Sequence, residues 1–309
     1  MPNTSALYRN LVPVTTALFA LTGCPRSTPS SVKLPVFDGQ QALRHVAAQV
    51  ELGPRFTGRP GHAAALDYYE DHLLGCGLSV ERRPFTLEVH NEDLTFTNLV
   101  AFWPKAEPPR APRVLLAAHF DSRPWADQDP DPAHRNQPID GANDGASGVA
   151  VLLELARTFA AAPPPIPIEL VFFDGEDHGP SAKDMFLGSN VYAGQLQASD
   201  YRFGILLDMI GDADLQIYQE RWSVHYAPEL VELVWNTARE LGFTTFHATV
   251  RHSIMDDHLP LNRAGVKCID LIDFDYPAWH TLEDTLDKVS ATSLEQVGTV
   301  VLHVLHGLR

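Results

Sequence analysis

The most constraining stretch of this chain is the run Ile168 to Phe173 followed by Asp174-Gly175-Glu176-Asp177. A short, mostly apolar run bounded by a glycine reads as a strand buried on both faces. It delivers carboxylates at its C-terminal end, the edge where open α/β sheets place their reactive crevice. Two adjacent carboxylates do not ionise comfortably side by side unless a positive group shares the load. A metal ion at Asp177, with Glu176 left free to move protons, resolves that conflict.

Other runs repeat the arrangement. Val114 to Ala118 is fully apolar and is followed by His119; Phe203 to Leu207 ends in Asp208; Val266 to Ile272 leads toward Trp279-His280-Thr281. Helical spacing recurs in 37–77 as two helices around the Gly53-to-Gly61 turn. It recurs again in Gly148–Ala161, around Met185–Leu196, in Glu229–Leu241, after Asp256 and in Ser290–Leu305. Two further strands are expected at Ser79–Leu87 and Leu94–Phe102, and a short one at Leu215–Tyr218. Strands alternating with helices predict an α/β fold, a three-layer α-β-α domain around a central mixed, mostly parallel sheet. The polar loop Arg123 to Gly141 is long for a compact domain, and such loops are usually functional or disordered.

The N-terminus reads differently. The mostly apolar run Leu11 to Leu21 ends in Leu21-Thr22-Gly23-Cys24 and is too short to span a bilayer. It resembles a bacterial lipobox, which implies a signal peptide over residues 1–23 and a flexible tether over 24–36, with the catalytic domain at 37–309. A lipid on Cys24 would anchor an exported domain to a membrane surface, periplasmic or outer. Cys76 and Cys268 then remain; whether they pair is open, with two buried free thiols expected in a domain of this size. A net charge of -16 argues against nucleic acid as a partner. The expected state is a monomer.

Asp144 and Asp256 each stand at a helix start, where an N-cap is the ordinary explanation. Taken singly, His119, Asp208 and His280 are also unremarkable. Their gathering at one edge of one sheet is not, and a carboxylate–imidazole set without thiolate suits a catalytic zinc with an open position.

His119-x-Asp121, Asn143-Asp144-Gly145, Glu176-Asp177, Asp208 and His280-Thr281 together resemble the zinc-dependent exopeptidase superfamily of aminopeptidases and glutaminyl cyclases. Asp256-Asp257-His258-Leu259-Pro260, Trp279 before His280, and the Phe120-to-Asp127 segment with Asp140 to Gly148 resemble the bacterial members of the animal-type cyclases. The resemblance implies zinc ligands Asp144, Asp177 and His280, with Glu176 as proton shuttle. It also implies an acidic hydrogen-bonded pair of Asp208 and Asp256, and Trp279 as a pocket wall. The chain departs from animal cyclases at Asp177, where they carry Glu, and at Asp270, where they carry His. The implied activity is cyclisation of N-terminal Gln to pyroglutamate with release of ammonia, an acyl transfer using one zinc, and the implied partners are peptide or protein N-termini. The alternative is an aminopeptidase with two zinc ions, the second held by His119 and Asp208 with Asp144 bridging. A non-catalytic binding domain on the same scaffold is a third reading.

Overall fold

Four short apolar strands run parallel at the centre of the computed structural model, which describes residues 36–104 and 112–308. They are β3 (Arg113–His119), β4 (Ile168–Phe173), β5 (Tyr201–Asp208) and β8 (Cys268–Ile272). Two longer strands, β1 (Ser79–Val89) and β2 (Glu92–Trp103), form an antiparallel hairpin that extends this sheet along β4. The order is β1-β2-β4-β3-β5-β8, a six-stranded mixed sheet.

Period-two alternation explains why both faces must be covered. Val114, Leu116 and Ala118 of β3 point into one core, with Leu170 and Phe172 of β4 and Ile205 and Leu207 of β5. Leu115, Ala117, Val171, Phe173 and Leu206 point into the other. The larger core is closed by α1 (Gly39–Glu51), α2 (Pro60–Gly75), α3 (Ala146–Ala161), α6 (Pro228–Glu240) and α8 (Ala291–Gly307). The opposite face carries α4 (Leu187–Ala193) and α7 (His258–Arg263). Helix α3 lies directly on β5, because a Cβ at Gly148 would sit 2.1 Å from the Leu207 carbonyl oxygen. The described residues form one compact unit of three layers.

The structure departs from the sequence reading at several elements. Strand β6 is Ile217–Glu220, and it pairs with a strand not expected from sequence, β7 (Phe246–Arg251), in a separate two-stranded sheet. The short helix α5 (Arg221–Tyr226) was also not expected; it is started by Glu220, whose side chain accepts from the N–H groups of Trp222 and Ser223. The helix expected around Met185–Leu196 shortens to α4, because Phe186 adopts a left-handed conformation just before it. Cys76 and Cys268 are both free; Cys268 is buried, whereas Cys76 is only half-buried. The loop 123–141 is built into the structure, its Asp129 carboxylate accepting from Leu282 N–H at 3.1 Å. The signal segment 1–23, Cys24, the tether as far as residue 35 and most of the Pro-rich loop after Pro104 lie outside the described residues. Among the described residues no helix is long and apolar enough to cross a membrane.

Candidate metal centre

Parallel strands place their carboxyl ends on one edge, so the sheet itself assembles the site. His119 ends β3, Asp208 ends β5, Glu176 and Asp177 follow β4, and His280 lies on the loop after β8. Asp144 arrives just ahead of α3, where helix N-termini favour negative charge. The turn before that helix requires glycine: Gly145 has φ +90°, and a Cβ there would meet the Asp121 carbonyl oxygen at 2.7 Å.

Asp144 is the hub. Its Oδ2 lies 3.4 Å from His280 Nε2, which is 3.2 Å from Asp177 Oδ1. Its Oδ1 lies 3.1 Å from His119 Nε2, which in turn is 3.1 Å from Asp208 Oδ1. Two three-donor sets therefore share one carboxylate, Asp144–Asp177–His280 and His119–Asp144–Asp208, each with its donor atoms within 4.8 Å of one another. All five side chains are buried, and Asp144 Oδ2 and Asp177 Oδ2 have no hydrogen-bond partner among the described residues. Orphaned buried carboxylate oxygens beside imidazole donors fit a divalent cation, and a nitrogen–oxygen set without sulfur fits zinc at a catalytic site.

Supporting groups fix the donors, as outer partners of metal ligands commonly do. Asp121 accepts from the backbone N–H of both Glu176 and Asp177, at 3.1 Å each. Asp284 does the same for Asn143 and Asp144, at 2.8 and 3.1 Å. Asp127 lies 3.4 Å from His280 Nδ1 and binds Arg123, whose Nη1 reaches Asp177 Oδ1 at 3.0 Å. Arg55 is fully buried and donates to the carbonyls of Phe120, Asp140 and Gly141 at 2.7–3.1 Å, tying both ends of the loop between β3 and α3 to one guanidinium. None of these supports was singled out as a site residue from sequence. Asp121 and Asp127 lay inside the quoted motif, but Asp121 acts on backbone groups and the His280 that Asp127 faces is distant in the chain.

The charges follow from crowding. Burial, with Asp177 adding to it, pushes the Glu176 carboxyl well above the usual carboxylate range. Burial and Asp177 likewise raise Asp144, to about 6. Burial works against Asp177 ionising, yet His280 and Arg123 hold it below its ordinary value. Burial also disfavours a charged His280, but Asp177 with Asp127 and Asp144 carries it up to about 9. Behind Glu176, burial and the charges of Asp208 and Asp257 raise Asp256 well above the ordinary value. Asp208 is engaged with His119 at 3.1 Å, and Asp256 Oδ2 and both carboxylate oxygens of the neighbouring Asp270 have no hydrogen-bond partner among the described residues.

These groups line a cavity of about 240 Å³ that includes Asp144, Glu176, Asp177, Asp208, Asp256, Trp279 and His280. Trp279 stacks on His280 with ring centroids 4.0 Å apart, and Phe274 packs against Trp279 at 5.2 Å. Left-handed backbone, uncommon outside glycine, marks this cavity at Phe186, Met209 and His280.

The model for peptidase family M28 matches residues 98–305, most of the chain and all of the site. The chain belongs to peptidase family M28. It is similar to the solved glutaminyl cyclase of Tannerella forsythia, with 38% identity over 89% of this chain and 100% of that one and a TM-score of 0.84. It is similar also to a leucine aminopeptidase precursor of Bacteroides thetaiotaomicron, at 35% identity, 90% and 100% coverage and a TM-score of 0.86. The glutaminyl-peptide cyclotransferase of Bos taurus is 26% identical over 299 residues, 82% of this chain and 79% of its own. Family membership and the buried donor sets together make this M28 chain a zinc-dependent enzyme.

Proposed function

We propose that this M28 protein is a glutaminyl-peptide cyclotransferase, converting an N-terminal Gln to pyroglutamate with release of ammonia. The observation that carries the reading is one small cavity lined at once by Asp144, Asp177 and His280, a spare carboxylate on Glu176, the acid Asp256 and the wall of Trp279. Similarity to named cyclases along 79% and 100% of their chains supports it.

Asp144, Asp177 and His280 would hold a single zinc ion, which supplies Lewis-acid polarisation of the γ-carboxamide carbonyl. The remaining work belongs to the chain. Trp279 and Phe274 wall the cavity, and its small volume confines the N-terminal residue so that its α-amine faces its own carboxamide carbon, the δ-carbon. Both reacting groups sit on one residue, so orientation supplies much of the rate. Glu176 takes a proton from the attacking amine and returns it to the departing nitrogen. The new bond joins the α-nitrogen to the δ-carbon, the bond to the amide nitrogen breaks, and ammonia leaves. A carboxyl with a raised pKa suits a group that must also act as an acid, and the contribution is roughly 10²–10⁴-fold.

One observation favours a second reading. Asp144 faces both imidazoles, one oxygen to each, which is the arrangement a two-metal aminopeptidase would use. Offering the purified enzyme Gln-initiated and Leu-initiated peptides separates the two. Ammonia from the first alone supports cyclisation, and free amino acids from either refute it in favour of the aminopeptidase.

Export and anchoring through a lipid on Cys24 complete the proposal. Recovery of a Cys24→Ala variant in the membrane fraction would remove that part of it.

A further inference from the structure

The catalytic cavity has a larger neighbour. A groove of about 520 Å³ lies beside it, and Ala182, Met185, Phe186, Met255 and Asp256 line both. The cavity alone falls below the roughly 300–1,000 Å³ usual for small-molecule sites, whereas the groove alone falls within that range. A substrate filling only the first would be a single residue; one filling both is a peptide.

The groove has a definite chemistry. Val191 of α4 and Leu259 of α7 give it an apolar floor, and Met185 and Met255 stand where it joins the catalytic cavity. Met255 is 59% exposed. Exposed thioether side chains at a cavity mouth adapt to apolar partners of varied shape. The groove's rim carries Lys183, with its side chain 77% exposed, and the exposed Arg263. In a chain with 23 basic and 39 acidic residues, two exposed cations on one groove are a local reversal of sign. The acids facing them are Asp184, 4.0 Å from Lys183 Nζ, and Asp256, buried in the shared wall.

The junction is also held rigidly to the catalytic strand end. Phe186 donates its N–H to the Glu176 carbonyl at 2.9 Å, and Leu187 donates to the Gly175 carbonyl at 3.0 Å. Phe186 keeps its left-handed φ of 59° within this pair of bonds. Strain of that kind at a cavity boundary is a pointer to function.

We propose that this groove is the subsite for the residues that follow the N-terminal Gln, and that it selects peptides with an apolar second residue and an acidic third. The inference rests on the cyclase reading and adds to it a substrate class. The apolar floor would take the second side chain, and Lys183 and Arg263 would meet the carboxylate of the third.

The test compares ammonia release by the zinc-loaded enzyme from Gln-Phe-Glu, Gln-Phe-Lys, Gln-Gly-Glu and Gln-Gly-Lys peptides of equal length. Burying a phenyl ring predicts kcat/KM at least about tenfold higher for Phe than for Gly at the second position. Glu is expected to exceed Lys at the third, and the double variant Lys183→Glu with Arg263→Glu is expected to invert that order. Equal kcat/KM for all four peptides, or an order the double variant leaves unchanged, overturns the subsite while leaving cyclisation standing. No ammonia from any of the four overturns both.

Discussion

Replacing Asp121 with Asn tests whether the site depends on the carboxylate that pins the Glu176-Asp177 turn. Both oxygens of this buried side chain accept backbone N–H groups, from Glu176 and from Asp177, at 3.1 Å each. Hydrogen bonds to a charged acceptor contribute about 1.5–3 kcal/mol apiece. Asn keeps one acceptor and turns an NH2 group toward the other N–H, so one bond is lost and a buried donor is left facing a donor. Leaving a buried group unsatisfied costs a further 1–3 kcal/mol or so, giving a total of about 3–5 kcal/mol. For a domain of this size, about 2–4 °C of melting temperature accompanies each kcal/mol, so Asp121→Asn should melt about 6–20 °C lower. The turn carries both the proton shuttle and a zinc ligand, and a displacement near 1 Å costs roughly 10²-fold in rate. Differential scanning calorimetry and ammonia release from a Gln-initiated peptide measure the two effects. A variant that melts with the wild type and keeps its kcat/KM would refute the role given to Asp121.

Three more expectations follow from the same geometry. Glu176→Gln should keep its zinc and fold, measured by metal analysis and circular dichroism, while ammonia release falls by about 10²–10⁴-fold. Arg55→Met leaves the Phe120, Asp140 and Gly141 carbonyls without their donor; it should lose about 3–5 kcal/mol in denaturant unfolding, since each buried acceptor left unsatisfied costs about 1–3 kcal/mol. Zinc must displace the proton that the surrounding carboxylates hold on His280 up to about pH 9. Apparent zinc affinity, measured by competition with a chelator, should therefore rise about tenfold per pH unit from pH 6 and level off above 9; an affinity flat across that range would contradict it.

The centre of the sheet was legible in the sequence because its strands are buried on both faces and so are written almost wholly in apolar residues, as in Val114 to Ala118. The site was legible for a related reason. A parallel sheet gathers whatever follows each strand, so His119, Glu176, Asp177 and Asp208 could be read as neighbours before any coordinates. Strand β7 was not, because most of Phe246–Arg251 is exposed, pairs only with β6, and carries little hydrophobic pattern. Helix α5 depends on the Glu220 cap more than on periodicity. Asp121, Asp284 and Arg55 act on backbone groups far along the chain, and sequence spacing carries no record of such partners.

Zinc content measured on the wild type, His280→Ala and His119→Ala tests the central claim most directly. The account predicts one zinc per chain in the wild type, its loss in His280→Ala and its retention in His119→Ala. Two zinc ions in the wild type, with one lost on replacing His119, would contradict it and point to the two-metal aminopeptidase.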